Sequence, residues 1–400
     1  MISTDLGPNE NWDDAWLSFK LLFQPWQWQK GKEIEEVKKN FLDQFQISNL
    51  KFKISLFLTG RSALYFLLQS LNLPKNSEVI VQGFTCEAVV LPVIANNLNL
   101  VYVDIETKTL SMNIDDLKKK LTKQAKVLIF QHTFGMTPTY RKEIYDLARQ
   151  NGLFVIEDLA HGFDPKIKFD KQTTMLLSFG RSKSFSSVHG GAVITGNKEL
   201  ANKLKTIESD LKQPSFLFIF RALVYKPLVM TIKATYDIYL GKIIHKIANL
   251  LKILSPEITE KEKQGKYNNY FNRGYPNALA TLLIHQLNKF ERILKNRALI
   301  SSYYSKNIKK TSFEANFFSN RLPVLIQKRG GILDKAANKN IFIGKWYDQV
   351  VSPKILNLSE VGYKLGRCPQ AEKICEQIVN LPLNIDRQQA QKVIDLVYGN

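Results

Sequence analysis

The sequence contains little cysteine, which limits the structural chemistry open to it. Only three cysteines, Cys86, Cys368 and Cys375, occur in 400 residues. An odd number of cysteines does not build a disulfide framework, and these three lack the clustered spacing of a zinc site. We therefore expect a reducing compartment and no bound metal.

Targeting and membrane-spanning segments of the usual kinds are also lacking. The stretch 1–19, MISTDLGPNENWDDAWLSF, is acidic and has no basic start followed by an apolar run, unlike a secretory signal. Arg221, Lys226 and Pro227 interrupt the only long apolar run, whereas a spanning helix needs about 20 apolar residues with few charges. These features predict a cytoplasmic protein.

Acidic residues are scarce relative to basic ones. The 36 Asp and Glu against 56 Lys and Arg give a net charge of +20. Such a charge favours anionic partners, namely nucleic acid, an anionic membrane or phosphorylated small molecules. Because no zinc-finger spacing or RNA-binding aromatic signature is present, we do not expect a nucleic-acid partner.

What the sequence does contain is a long alternation of apolar strand-like runs and amphipathic helical runs, from about residue 54 to 197. This alternation predicts an α/β fold with a mostly parallel sheet between layers of helices. The length suggests more than one domain. We expect four parts: an N-terminal arm (1–50), a large α/β domain (51–210), a basic amphipathic helical insertion with a linker (211–268) and a smaller α+β C-terminal domain (269–400).

Ligands of parallel sheets bind at the carboxyl ends of the strands, so the residues that follow each apolar run are the candidates. TGRSAL places Ser62 and backbone amides at a helix N-terminus, a position that binds phosphate. Asp158 ends one strand, and Lys183 follows another. A phosphate turn, a buried acid and a lone lysine together favour pyridoxal phosphate, with the lysine as Schiff-base former and the acid opposite the pyridine nitrogen.

Each of these residues also has an ordinary structural explanation. A lysine in a loop is usually a solvated charge, and Asp158 or Ser62 could simply cap a helix. His161 could be a packed loop histidine. The order and placement of the residues, rather than any one of them, favour the functional interpretation.

Seven segments follow one another in an order that matches a known family. They are GRSAL (60–64), VIVQGFTCEA (79–88), VYVDIETKTLSMN (101–113), QHTFG (131–135), VIEDLAHG (155–162), SFGRSKSFSSVHGGAVIT (178–195) and CPQAEKICEQIVNLPL (368–383). Together they resemble the DegT/DnrJ/EryC1/StrS family, the nucleotide-sugar aminotransferases of the pyridoxal phosphate-dependent transferase fold type I. The resemblance covers most of the chain and implies that the large domain binds the cofactor.

The resemblance also implies roles for particular residues. Lys183 would be the Schiff-base lysine and the acid/base of the reaction, and Asp158 would pair with the pyridinium nitrogen. His161 would lie near the ring oxygen of the cofactor. The phosphate would be bound by Ser178 with the turn of Gly60, Arg61 and Ser62. Asn272 would reach the phosphate from the partner subunit.

The sequence departs from the family pattern at three places. Cys86 stands where the family stacks an aromatic ring on the cofactor, and Arg61 replaces a threonine. The Asn-Tyr-Arg element before the small-domain helix reads NRGYPNA here.

The activity implied by the resemblance is amino transfer from an amino acid, usually glutamate, to a keto group of a nucleotide-linked sugar, for cell-surface polysaccharide or glycan synthesis. A homodimer is implied as well. A sugar dehydratase of the same fold would carry histidine in place of Lys183. A catalytically altered, membrane-associated scaffold remains the alternative.

Residues 211–254 carry seven basic residues against one acid, Asp237. They predict one or two basic amphipathic helices. These helices would either pack as a hairpin on the dimer or lie on the inner face of an anionic membrane.

Overall fold

The computed structural model describes residues 1–45, 51–170, 172–254, 256–308, 313, 316–327 and 329–398. Three elements precede the main sheet: β1 (Ile2–Ser3), α1 (Trp12–Leu22) and α2 (Glu33–Gln44). The next region contains β2 (Lys53–Phe57), α3 (Gly60–Ser70), β3 (Glu78–Gln82), β4 (Thr85–Cys86), α4 (Glu87–Ala95), β5 (Asn99–Val103), α5 (Ile114–Lys120), β6 (Ala125–Gln131), α6 (Arg141–Gln150), β7 (Phe154–Asp158), β8 (Thr174–Ser178), β9 (Gly191–Thr195) and α7 (Lys198–Asp210).

The second half of the chain is mainly helical. It contains α8 (Phe216–Thr235), α9 (Leu240–Leu250), α10 (Glu260–Lys263), α11 (Asn277–Asn288), α12 (Phe290–Asn307), β10 (Arg321–Leu325), α13 (Arg329–Asn338), β11 (Ile341–Phe342), β12 (Val351–Ser352), α14 (Pro369–Gln377), β13 (Ile378–Pro382) and α15 (Arg387–Tyr398). Short 3-10 turns lie at Pro25–Gln27, Thr133–Gly135, Asn269–Phe271 and Leu358–Val361.

The main sheet has seven strands within the described residues, in the order β2-β9-β8-β7-β6-β3-β5. Strand β9 is antiparallel to both of its neighbours, and the pairs from β8 to β5 are parallel. Six strands therefore share one direction, and β2, β3, β6, β7 and β8 end at the same edge. The predicted α/β class with a mostly parallel sheet is confirmed.

Helices cover both faces of this sheet. Along β3, Val79 and Val81 pack into one apolar cluster with α3 and α4, and Ile80 packs into another with α5 and α6. This alternation is the two-residue period of a strand. Since both faces of β3 are buried, the strand reads as a continuous apolar run in the sequence.

The C-terminal region is tied to the rest of the chain by short strand pairs. Strand β10 pairs antiparallel with β13, β11 pairs parallel with β1, and β12 pairs parallel with β4. The pairing of β12 with β4 brings the segment between β11 and β12 to the carboxyl edge of the main sheet.

The domain boundaries that we expect at residues 210 and 268 stay a prediction, and the one at residue 50 lies outside the described residues. Helices α8 and α9 occupy the predicted insertion. No helix in the described part of the chain is long and apolar enough to cross a bilayer.

Helix α8 is fixed to the N-terminal region by polar contacts in the core. Ser18 on α1 donates a hydrogen bond to the carbonyl of Leu223 at 2.7 Å. Lys226 is fully buried, forms an ion pair with buried Glu10 and donates to the carbonyl of Ser186 at 3.1 Å. Burial raises the pKa of Glu10, and the Lys226 charge opposes that rise. The pair therefore depends on both partners being present.

Replacing Lys226 tests this dependence. Lys226→Met should lower the free energy of unfolding by about 3–5 kcal/mol, because Glu10 would keep a buried carboxyl without its partner. Urea denaturation followed by circular dichroism measures the change. Lys203→Met is the control, since the pair of Lys203 with Glu199 is exposed and should contribute less than about 1 kcal/mol. Equal losses in the two variants would contradict the interpretation.

Candidate active site

A cavity of about 720 Å³ lies at the edge where the parallel strands end. Seven of the nine residues that the sequence predicts for the site line it: Gly60, Arg61, Cys86, Asp158, His161, Ser178 and Lys183. Ser62 and Asn272 do not line this cavity. The strand ends thus bring together residues that are more than 100 positions apart in the chain.

Asp158, the last residue of β7, directs a carboxyl into the cavity from the end of its strand. It is 2% exposed, and its Oδ1 accepts the N–H of Ala160 at 2.9 Å. Burial raises the pKa of Asp158, and the Ala160 N–H and the Lys183 charge act against that rise. The carboxyl is therefore positioned to hold or share a proton with a group inside the cavity.

The neighbouring Glu157 points to the opposite face, as the pleat of a strand requires. His132 Nε2 lies 2.7 Å from its Oε1, and Arg141 donates to it at 2.5 and 3.0 Å. Burial would raise the pKa of Glu157, but these partners outweigh burial and lower it to about 2. Of two adjacent carboxylates, Glu157 anchors the strand and Asp158 faces the cavity.

Lys183 lies in the loop between β8 and β9, with its Nζ 5.4 Å from the centre of the Trp346 ring. Its charge affects the pKa values of Asp158, His161, Cys86 and Glu87, which line the same cavity. The side chain is half-buried and lines the cavity. It is not a solvated surface lysine.

The loop that carries Lys183 is held by buried cations and amides. Arg297 donates to the hydroxyl and the carbonyl of Ser184 at 2.8 and 2.5 Å. Arg321 and Asn320 donate to the carbonyl of Ser182 at 3.0 and 2.9 Å.

Further donors reach the loop from the N-terminal region and α8. Asn9 donates to the carbonyl of Lys183, and Lys226 donates to that of Ser186. The serine-rich run around Lys183 is thus a buried loop whose carbonyls are hydrogen-bonded on both sides of the lysine.

The turn before α3 brings two strand ends together. A Cβ on Gly60 would lie 3.0 Å from the Cβ of Ser178 and 3.1 Å from its Oγ, so glycine allows this close approach. Thr59 caps α3, and its side chain accepts a hydrogen bond from the N–H of Ser62. In return, the Ser62 hydroxyl accepts a hydrogen bond from the N–H of Thr59 at 3.1 Å. The Ser62 hydroxyl therefore serves the capping box. Thr59, Gly60 and Arg61 of this turn line the cavity together with Ser178 at the end of β8.

The guanidinium of Arg61 is bound by acidic residues. It forms an ion pair with Glu262, lies 3.7 Å from Glu87 and donates to the carbonyl of Glu257 at 2.9 Å. Burial raises the pKa of Glu87 to about 7, while Arg61 lowers it and Glu262 raises it further. An anion at this turn would meet the backbone of Arg61, because its side chain is already paired.

Three further side chains meet on the other wall of the cavity. His161 accepts the N–H of Phe134 on Nδ1 at 3.2 Å, so its proton is on Nε2, which lies 2.8 Å from the Tyr347 hydroxyl. Burial, with the Lys183 charge, lowers the pKa of His161 well below its usual value. Burial also raises the pKa of Cys86 to about 11. Both groups are neutral near pH 7.

Sequence reasoning misses Trp346 and Tyr347, which line the cavity from the segment between β11 and β12. Neither lies in a quoted motif, and the only signal is an aromatic pair that follows a short apolar run. It assigns no role to Glu87, although this residue lies in the quoted segment 79–88, and it misses Glu257; both line the cavity. Asn272 lies outside the cavity, where its Oδ1 accepts the Tyr267 hydroxyl at 2.6 Å.

Comparison of the sequence with known proteins identifies one family and several partial relatives. A family model described as the DegT/DnrJ/EryC1/StrS aminotransferase family matches residues 19–213 and 244–398, which leaves 214–243 unmatched. An uncharacterized protein of Methanocaldococcus jannaschii is 31% identical over 44% of this chain and 45% of its own length. GDP-perosamine synthase of Escherichia coli O157:H7 is 28% identical over 49% of this chain and 50% of its own. The chain spans about half the length of these curated relatives.

Solved structures share the whole fold at low identity. PseC of Helicobacter pylori, an aminotransferase involved in pseudoaminic acid biosynthesis, has a TM-score of 0.72 and 15% identity, with 98% of each chain covered. An aminotransferase of Brucella abortus has a TM-score of 0.70 and 19% identity, with 97% of this chain and 95% of its own covered. The family match over most of the sequence shows that this chain belongs to the DegT/DnrJ/EryC1/StrS aminotransferase family.

Proposed function

We propose that the protein is a pyridoxal phosphate-dependent aminotransferase that moves an amino group from an amino acid to a keto group of a nucleotide-linked sugar. The observation that carries this proposal is the meeting of the Lys183 amine and the Asp158 carboxyl in one cavity at the carboxyl edge of the sheet. When bound, the cofactor supplies the electron sink for the transfer.

The residues of the cavity fit this cofactor. Lys183 offers an amine that can bind an aldehyde covalently, and Asp158 can hold a proton on a ring nitrogen. The first turn of α3 with Ser178 offers N–H and O–H donors for a phosphate. The close approach at Gly60 keeps side-chain atoms out of that turn.

The side chains of the cavity can then act on a substrate. The Lys183 amine takes a proton from one carbon atom and returns it to another, which is general acid–base catalysis. His161 is neutral, and both of its ring nitrogens are hydrogen-bonded, so it positions its neighbours rather than exchanging protons. Trp346 and Tyr347 cover one side of the cavity and keep water from the reacting atoms.

For the substrates, we propose glutamate as donor and a nucleotide-diphosphate keto-sugar as acceptor, in polysaccharide or glycan biosynthesis. The cavity continues past the strand ends to Leu333, Asp334 and Ala337 of α13, which leaves room for a substrate larger than the cofactor. A net charge of +20 suits a diphosphate. The match to GDP-perosamine synthase, over half of that protein, supports a sugar acceptor.

For the assembly, we propose a cytoplasmic homodimer in peripheral contact with the inner face of the membrane. Asn272 would contact the phosphate of the neighbouring subunit. Its position outside the cavity of its own chain supports a role in the other one.

Covalent labelling tests the role of Lys183. After incubation with pyridoxal phosphate and reduction with borohydride, the peptide that contains Lys183 should carry the cofactor, and mass spectrometry detects it. Lys183→Ala should lose the label and lower 2-oxoglutarate formation from glutamate and keto-sugar nucleotides by at least ~100-fold. The exposed Lys335→Ala is the control and should behave as the wild type. An unlabelled wild type would favour the scaffold alternative.

Mixed dimers test the position of Asn272. Lys183→Ala and Asn272→Ala should each be nearly inactive, but unfolding and refolding them together should restore roughly a quarter of the wild-type activity. Half of the randomly formed dimers are mixed, and each of these has one intact site if Asn272 acts across the interface. No recovery would place Asn272 in the site of its own chain, and an active Asn272→Ala protein would place it outside any site.

The raised pKa of Glu87 predicts a pH dependence of cofactor binding. Glu87 carries a proton below about pH 7 and becomes negative above it, next to the phosphate turn. Between pH 6 and 8 the affinity for pyridoxal phosphate should therefore fall more in the wild type than in Glu87→Gln, by roughly fivefold. Titration of the visible absorbance measures this, with the exposed Glu143→Gln as control. Parallel curves for all three proteins would refute the prediction.

A further inference from the structure

Large apolar side chains are exposed on three neighbouring helices. Among the described residues, 15 of the 20 exposed large hydrophobic side chains belong to this group. They form what we call the aromatic face: Trp12, Trp16, Phe19 and Phe23 of α1 and its C-cap, Trp26 of the following turn, Phe216, Leu217 and Phe220 of α8, and Ile238, Tyr239, Leu240, Ile243, Ile247, Leu250 and Leu251 in and beside α9.

The helices that carry the aromatic face are in contact with each other. Helix α8 packs against both α1 and α9. Trp28 connects the turn after α1 to the start of α8, with its ring 5.7 Å from that of Phe216. On α1, residues 12, 16, 19 and 23 recur at helical spacing and so share one side of the helix.

Exposure on this scale is unusual for a surface that meets only water. Trp26 is 72% exposed and Leu250 is 79% exposed. Soluble monomers rarely expose apolar patches larger than a few hundred Å², and larger ones mark contact sites. Seven of the 15 residues of the aromatic face also lie in residues 214–243, the segment that the family model leaves unmatched.

The charges on and around the aromatic face are positive. Lys20 lies 5.3 Å from the Trp16 ring, and Lys242 lies 4.6 Å from that of Tyr239. Lys246 and Lys252 are exposed on or just after α9. Asp237, the only acid of residues 211–254, is bound to the N-terminal amine at 3.2 Å and to the amide of Asn340 at 2.8 Å.

The acids of α1 do not offset these cations. Asp14 is buried and Asp13 is exposed, and both form ion pairs with Lys289. A second copy of the chain, docked on the aromatic face by a two-fold axis, would bring the lysines of both copies into one interface, where like charges repel each other. A surface with anionic groups outside and an apolar interior fits the same residues without that repulsion.

We propose that the aromatic face docks on the headgroup layer of an anionic lipid bilayer, with its rings at the acyl boundary and its lysines at the phosphates. Tryptophan and lysine at such positions are typical of proteins that lie on a membrane. This inference deepens the peripheral contact proposed above, extends it to α1 and does not depend on the aminotransferase activity.

Vesicle sedimentation of the full chain tests the proposal. The protein should sediment with vesicles of phosphatidylcholine and phosphatidylglycerol, bind those of phosphatidylcholine alone at least ~10-fold less, and lose binding as salt rises. Trp12→Ser/Trp16→Ser should lower the partition coefficient by at least ~10-fold. The matched control is Ile355→Ser/Leu365→Ser, which removes two exposed apolar side chains elsewhere and should bind as the wild type.

Charge-reversal variants separate the electrostatic contribution to vesicle binding from the apolar one. Lys242→Glu/Lys246→Glu should weaken binding to anionic vesicles, whereas the exposed pair Lys123→Glu/Lys126→Glu should have a smaller effect. Circular dichroism and the melting temperature check that every variant is folded. Formation of 2-oxoglutarate without vesicles should stay at the wild-type level in the Trp12/Trp16 variant, so a failed membrane proposal and a failed activity proposal give different results.

Three outcomes would overturn the proposal. One is absence of wild-type binding to anionic vesicles, and another is equal binding by the aromatic variant and its control. The third is a smaller assembly in light scattering for the Trp12/Trp16 variant together with unchanged vesicle binding, which would make the aromatic face an interface between copies.

Discussion

Buried cations hold the loop of Lys183, and the rest of the site depends on them. Arg297 from α12, Arg321 from β10 and Lys226 from α8 each donate to carbonyls of this loop. Burial lowers the pKa of Arg297 to about 9, which shows how strongly the desolvation of the guanidinium acts against its charge. Because the donors come from three distant parts of the chain, long-range packing positions the loop.

The same cavity separates roles among chemically similar groups. Glu157 and Asp158 are adjacent, yet the strand sends one to a cage of cationic and hydroxyl donors and the other to the cavity. The Arg61 guanidinium is bound by acidic residues, since it forms an ion pair with Glu262 and donates to the carbonyl of Glu257. The Lys183 amine lies in the same cavity, 5.4 Å from the centre of the Trp346 ring.

Much of this arrangement follows from local sequence. The alternation from residue 54 to 197 predicts the parallel sheet, and the positions of Asp158, Ser178 and Lys183 after apolar runs place them at one edge. Tyr347 could not be found this way, because β12 brings it to the cavity by pairing with β4, far away in the sequence. Ser62 shows a different limit: a hydroxyl at a helix start can cap the helix or face a ligand, and the capping box with Thr59 takes it here.

The position of Lys226 has a mechanical consequence. It lies on α8, which also exposes Phe216, Leu217 and Phe220. Its amine donates a hydrogen bond to the carbonyl of Ser186, three residues after Lys183. Glu10, just before α1, forms an ion pair with the same amine. A movement of α1 relative to α8 would therefore either break the contacts of Lys226 or displace the backbone of the loop that carries Lys183. Helices α1 and α8 are therefore coupled to the position of the Lys183 amine through a short chain of buried contacts.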